Sequence, residues 1–352
     1  MGAIRTLDDV YLDGKTVLLR IDGNSPLHPL NNSFLDDSRL KSVIPTINKL
    51  SKSKLIILSH QSRPGKKDFT STSSHAREFQ RLLGRTVKFV EDICGQKAMS
   101  AIDDMKNGDI LMLNNVRMNN EELECKTNDF ENQMETHFVQ KLSSIADVFI
   151  NDAFACSHRN SPSITGFTYA LPCIAGSLMM KELNTLNSVT NNPKKPCIAV
   201  LGGIKIDDSV NVAKNMLKNN IAEKILVTGG VANLFLEISG INIGEINKSF
   251  LKKELGEKWE LVCKDIKNIL QKYPNNILLP KDVALNVNGK RVDVDISKLP
   301  TNYQIFDIGL QSTVTISSEI KNAGTIILNG PAGVFELDEF KFGTMEIINA
   351  CA

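Results

Sequence analysis

The chain has 352 residues, 42% of them hydrophobic and 23% charged, with a formal net charge of +1. That length favours two domains over one, and the near-neutral balance removes any global pull toward nucleic acid or an anionic membrane. Its seven cysteines are scattered, with no Cys-x-x-Cys pair, which argues against both a disulfide framework and a structural zinc site. No apolar run is long enough to span a bilayer, and residues 1–9 contain no apolar signal core. A cytoplasmic enzyme or binding protein is expected.

In chain order, apolar runs at 16–21, 55–59, 86–90, 110–113 and 148–151 read as buried strands. Amphipathic segments at 37–50, 74–83 and 132–146 read as the helices between them. Strands alternating with helices imply βαβ units and a mostly parallel sheet. Asp36-Asp37-Ser38 is a helix start before an apolar-periodic run. A helix is expected at 176–189, with Leu178, Met179, Leu183 and Leu186 on one face. The breaker cluster Asn191-Asn192-Pro193-Lys194-Lys195-Pro196 follows it. A second βα series has strands at 197–201, 224–227, 276–279, 304–308 and 325–328. The expected division is a domain over 1–177, a connecting helix over 178–190 and a second domain over 191–352.

Polar motifs sit where the strands stop, which is where open α/β sheets bind ligands. In the first half these are Arg20-Ile21-Asp22-Gly23-Asn24-Ser25-Pro26, Asp36-Asp37-Ser38-Arg39 and Ser59-His60-Gln61-Ser62-Arg63-Pro64. Asn114-Asn115-Val116-Arg117 and Asn151-Asp152-Ala153-Phe154 through His158-Arg159 complete the set. Guanidiniums grip carboxylate and phosphate in bidentate fashion, so the pattern calls for a small ligand with more than one negative charge. In the second half, glycines stand between strand and helix at Gly202-Gly203-Ile204-Lys205 and Gly229-Gly230. Another set ends the last strand, in Asn329-Gly330-Pro331-Ala332-Gly333-Val334-Phe335-Glu336. Such turns let backbone amides approach phosphate at a helix N-terminus, which suits a nucleotide.

Neither a Gly-x-Gly-x-x-Gly fingerprint nor a Walker A loop is present. The five histidines show no metal-ligand spacing, so no protein metal site is expected. One at a time, each motif has a plainer reading. Asp22 and Asn24 suit a turn, Arg117 and Arg159 suit surface ion pairs, Gly202-Gly203 suits close strand–helix packing, and Lys205 suits solvent. Their succession, one per strand end, favours the ligand reading. Cys156, beside His158, reads as structural because no third group orients the pair.

Together these motifs resemble the phosphoglycerate kinase family, from about Val10 to the last residue. Archaeal members look most similar, because Asp207-Asp208-Ser209 follows Lys205 where other members carry a second lysine at the Ser209 position. The resemblance implies two Rossmann-like three-layer α/β/α lobes with mostly parallel sheets, joined by a hinge helix and closing to exclude water. It implies reversible phosphoryl transfer between ATP and the carboxylate of 3-phosphoglycerate, giving 1,3-bisphosphoglycerate and ADP, with Mg2+ on the nucleotide. An ionised carboxylate is the nucleophile, so no general base is needed, consistent with the lack of a Ser-His or Cys-His pair.

The resemblance assigns 3-phosphoglycerate to Asp22, Asn24, Arg39, His60, Arg63, Arg117 and Arg159. It makes Arg39 and Lys205 the catalytic charges on the moving phosphoryl. It gives the nucleotide to Gly202, Gly203, Lys205, Gly229, Gly230, Asn329, Gly330 and Pro331, with Glu336 on the ribose. A monomer, with no nucleic-acid or membrane partner, is the implied state.

Family members continue past the position of Ala352 with another strand and a Gly-Gly-Gly-Asp/Glu-Thr/Ser phosphate loop. Either the sequence is incomplete or it is a naturally shortened form with impaired nucleotide binding, and a chain ending there is expected to leave a bare sheet edge. The alternative kept is a non-catalytic relative that binds 3-phosphoglycerate but not nucleotide. Asn114, Met118 and Gln61-Ser62 stand where the family usually has Glu, Phe and Leu-Gly, and are expected to be tolerated.

Overall fold

Side chains on a strand alternate between faces, yet all of β1 (Thr16–Ile21) beyond its first residue is buried. Val17, Leu19 and Ile21 pack into one apolar layer and Leu18 into another, so helices must cover both faces. That is the demand of a parallel sheet, and the computed structural model, which describes residues 4–28, 30–125 and 130–352, meets it. β1 lies between β2 (Lys54–Leu58) and β5 (Val148–Asp152), both parallel to it. With β3 (Lys88–Val90), β4 (Ile110–Leu113) and β6 (Cys173–Ala175), the order is β3-β4-β2-β1-β5-β6. On one side Phe167 stacks on Phe149 at 4.9 Å and meets Phe138 edge-on at 5.7 Å.

The chain divides into two units, Met1–Thr185 and Leu186–Ala352, with the division inside the helix Ser177–Asn191. In the second unit, β7 (Cys197–Leu201), β8 (Lys224–Val227) and β9 (Ile277–Leu278) pair in parallel, and a later strand joins them at β7. A separate antiparallel sheet, β11-β10-β12, comprises β10 (Asp282–Val287), β11 (Lys290–Asp295) and β12 (Gln304–Ile308). The later strand, β13 (Thr325–Asn329), completes the order β13-β7-β8-β9.

The strand at 304–308 is therefore not a further parallel member of a βα series. It pairs antiparallel with β10, with a register shift at Ala284/Leu285. The hairpin β10–β11 turns at Asn288-Gly289, both at positive φ, the signature of a two-residue hairpin turn. The helix expected over 132–146 is two helices, Phe130–Met134 and His137–Ser143. Thr136 starts the second by accepting from the Val139 amide, while Glu121 accepts the amides of His137 (2.9 Å) and Phe138 (2.8 Å). Those amides are taken from an uninterrupted helix ladder.

At the end of β5, the fully buried Asp152 carboxylate accepts from Thr46 Oγ1 (2.6 Å) and the Met179 amide (2.9 Å). Thr46 Oγ1 in turn accepts from the Ser177 amide at 2.9 Å. One acid thus ties the helix Ser38–Lys49, which carries Arg39, to the start of Ser177–Asn191. Burial raises its pKa, and the bonds from Thr46 and Met179 oppose that. Asp152→Ala should cost about 3 kcal/mol, because two buried donors lose a charged acceptor. A urea-unfolding midpoint unchanged by the substitution would show that the carboxylate is not the tie.

Candidate active site

The first-unit motifs converge through their backbones. Asn115 Nδ2 donates to the carbonyls of Gln61 and Thr70, both at 2.8 Å, and its Oδ1 accepts from the Arg117 amide at 3.1 Å. Asn24 Oδ1 accepts from the Ser62 amide at 2.7 Å, and Arg117 donates to the Ser62 carbonyl. Ser62 holds a left-handed φ of 55°, where a glycine would rest more easily. Its hydroxyl is anchored on Asp68 at 2.6 Å. Arg39, on the first turn of its helix, ion-pairs with Asp22.

A cavity of about 460 Å³ is lined by Arg63, Arg117, His158, Arg159 and the buried acid Glu122. Beside it His60 is buried, and its pKa is pushed far below the ordinary range, first by burial and then by Arg20, Arg117, Arg159 and Arg39. The imidazole is therefore neutral at pH 7. The guanidiniums also crowd one another: the Arg117 pKa falls through burial, then through Arg159 and Arg20. Asp22, His60 and Cys156 bring ligand-type atoms within 4.8 Å of one another. Surrounding guanidiniums make this a place for an anion and not for a cation.

Of the substrate residues expected from sequence, Arg63, Arg117 and Arg159 share the cavity. Asp22 and Arg39 are paired, Asn24 serves the Ser62 loop, and His60 stands within the same positive field. Arg20, to which neither motif nor resemblance assigns a role, donates its guanidinium to His60 Nδ1 at 3.2 Å. The available signal was an arginine inside an otherwise apolar strand. Glu122 carried no such signal, and Asn115 stood in a motif without a role of its own.

His75, fully buried on the helix Ser73–Leu83, bonds through Nε2 to the Gly23 carbonyl at 2.9 Å, beneath the Asp22 loop.

In the second unit three glycine turns meet backbone to backbone. The Gly202 amide donates to the Asn329 carbonyl at 2.7 Å and the Gly203 amide to the Pro331 carbonyl at 2.8 Å. A Cβ on Gly202 would come within 2.4 Å of both the Pro331 carbonyl and Thr228 Oγ1, so no larger residue fits. A cavity of about 370 Å³ opens beside them, lined by Gly203, Gly229, Gly230, Pro331 and Glu336. Apolar groups such as Phe250, Val283 and Val334 form its other walls, and sequence spacing did not foretell them. Gly202, Lys205, Asn329 and Gly330 do not line it. Lys205 is exposed at the start of the helix Ile206–Lys218. Ser209 is fully buried and its hydroxyl lies 3.4 Å from Asn329 Nδ2, so that side chain faces the last glycine turn.

An anion pocket in one α/β unit and a glycine-edged cavity in the next are the pattern of a kinase acting on a small polyanion. Comparison with known proteins makes this specific. The family model for phosphoglycerate kinase matches residues 7–352. A phosphoglycerate kinase of Methanothermus fervidus is 46% identical over 99% of this chain and 84% of its own length. One from Methanosarcina mazei is 47% identical over 98% and 82%. The crystal structure of phosphoglycerate kinase from Pyrococcus horikoshii OT3 matches with a TM-score of 0.87 at 37% identity, covering 99% of this chain and 86% of that one. The chain belongs to the phosphoglycerate kinase family. It is a phosphotransferase that exchanges a phosphoryl group between ATP and 3-phosphoglycerate, a glycolytic step. The match includes the second-unit motifs, and nothing favours a non-catalytic relative.

The histidines set a pH dependence. Burial lowers the His75 pKa to about 4, partly offset by its bond to Gly23. A base depressed on folding binds fewer protons in the native than in the unfolded chain, so stability rises with pH through this window. His75 alone should contribute about 3 kcal/mol that is present above pH 6.5 and lost as pH falls toward 4. His60 adds to the loss in the same direction. His75→Gln should flatten the urea-derived stability profile between pH 6.5 and 4. An unaltered profile would remove His75 from the account.

Proposed function

We propose that 3-phosphoglycerate lies in the guanidinium pocket of the first unit, held by Asp22, Asn24, Arg39, His60, Arg63, Arg117 and Arg159. The observation that carries this reading is the convergence of several guanidiniums on one small cavity whose neighbouring histidine is neutral. Such a field is relieved only by an anion, and arginine forks match phosphate and carboxylate geometry. Arg63, Arg117 and Arg159 take the phosphate end. Arg39, oriented by Asp22, takes the carboxylate that receives the phosphoryl group. The carboxylate attacks unaided, and the protein contributes charge stabilisation and position.

The nucleotide base and ribose belong in the 370 Å³ cavity, with Glu336 accepting from ribose hydroxyls and the turns at Gly202-Gly203, Gly229-Gly230 and Asn329-Gly330-Pro331 near the phosphates. Lys205 meets the transferring phosphoryl. Mg2+ arrives on the nucleotide. The carboxylates lining that cavity are Asp307, already bonded to Arg291 at 2.8 Å, and Glu336. This donor set fits a metal held chiefly by phosphate oxygens. The segment 178–190 serves as the joint between domains 1–177 and 191–352. A cytoplasmic location is supported by the free state of all seven cysteines. No helix among the described residues is long and apolar enough to cross a membrane. The state proposed is a monomer.

Arg39→Ala should lower turnover about 10²–10³-fold while shifting folding stability by less than ~1 kcal/mol, since the side chain is 46% exposed. Full turnover in a normally stable variant would exclude the role. Lys205→Ala should lower kcat by about 10²-fold and leave the KM for 3-phosphoglycerate nearly unchanged. A large rise in that KM, measured in a coupled NADH assay, would place Lys205 with the wrong substrate.

A further inference from the structure

Arg20 is 2% exposed and, among the described residues, has no carboxylate in direct contact. Its Nε donates to Ser163 Oγ at 2.9 Å, one Nη to the Ile21 carbonyl and the other to His60 Nδ1 at 3.2 Å. Ser163, fully buried, donates its own hydroxyl to Glu122 Oε1 at 2.7 Å, and its amide to Glu122 Oε2 at 2.8 Å. Ser161 Oγ adds a third donor to the same carboxylate at 2.9 Å.

The donor and acceptor inventory fixes every proton in this chain. A carboxylate only accepts, so the Ser163 hydroxyl proton is committed to Glu122 and its lone pairs face Arg20. A guanidinium only donates, so His60 Nδ1 must accept. The ring is neutral, so its single proton sits on Nε2, which no other hydrogen bond of the described residues uses. Because the acid reaches Arg20 only through a hydroxyl, it orients the guanidinium without cancelling its charge at contact.

We propose that Glu122, acting through Ser163 and Arg20, is a positioning residue that locks His60 as the Nε2–H tautomer, ready to donate a hydrogen bond to 3-phosphoglycerate. The donor role of His60 rests on the site reading above. The lock itself is a property of the unliganded protein. It explains why a histidine amid guanidiniums serves as a neutral, one-way donor: a free imidazole would exchange tautomers and, in one of them, turn a lone pair toward an anionic ligand.

The test is nitrogen-detected NMR of the full chain labelled at histidine, free and with 3-phosphoglycerate. Wild type should show His60 with a protonated Nε2 and an unprotonated Nδ1 from pH 6 to 8. A proton on Nδ1, or a charged ring, overturns the proposal without need of any variant. Ser163→Ala and Glu122→Gln should convert that single form to a tautomer mixture. They should raise the KM for 3-phosphoglycerate about tenfold, with kcat within about threefold of wild type. An unchanged tautomer in both variants, with or without a change in KM, overturns it. The reading of the site is tested separately: if saturating 3-phosphoglycerate leaves the His60 signals unmoved, His60 is not at the substrate, whichever tautomer it holds.

Discussion

The first unit is organised around an unfavourable charge arrangement. Arg20, Arg39, Arg117 and Arg159 all act on one buried imidazole, and among the described residues Arg39 alone of the four is ion-paired, with Asp22. Two like charges ~4 Å apart at an effective dielectric of ~20 repel by about 4 kcal/mol. Such a cluster persists only because the surrounding fold over-determines it. The sheet supplies that framework: both faces of β1 are sealed by apolar layers, and the ends of β1, β2, β4 and β5 lead into the segments that carry Asp22, His60, Arg117 and Arg159. Hydrogen bonds from Asn115 to Gln61 and from the Ser62 amide to Asn24 then tie the separate loops together. On the proposed reading, an anionic substrate completes the electrostatics that the protein leaves open.

The second unit solves a different problem. Its glycine turns approach so closely that side chains are excluded, and amides are left at helix starts beside a largely apolar cavity. Nucleotide recognition needs both features, a wall for the base and amides for the phosphates. On the reading proposed above, the units divide the chemistry: fixed positive charge for the acceptor substrate, backbone and shape for the donor.

Much of this was legible in the sequence. Buried parallel strands appear as short apolar runs, and β1, β4, β7 and β8 fall where those runs lie. Most of the residues proposed for the substrate were visible because their motifs follow an apolar run, and Arg39 because it opens a helix. The rest was hidden for physical reasons. β11, Lys-Arg-Val-Asp-Val-Asp, has four charged residues out of six and is largely exposed, so its alternation was masked, although Asn288-Gly289 marked the turn before it. The break at Thr136 depends on Glu121, a tertiary partner sixteen residues before His137 in sequence. Arg20 stood in plain view, but the destination of a side chain leaving a buried strand is decided by neighbours from elsewhere in the chain. Glu122, in a run of acids, was indistinguishable from a solvated surface.

Titration calorimetry of 3-phosphoglycerate into the whole chain, at low and high salt, tests the account most directly. The account predicts one site per chain, binding that weakens as salt rises, and a loss of at least about tenfold in affinity when Arg117 and Arg159 are both replaced by glutamine. Equal affinity in that double variant, at either salt concentration, would contradict the assignment of the guanidinium pocket to the substrate.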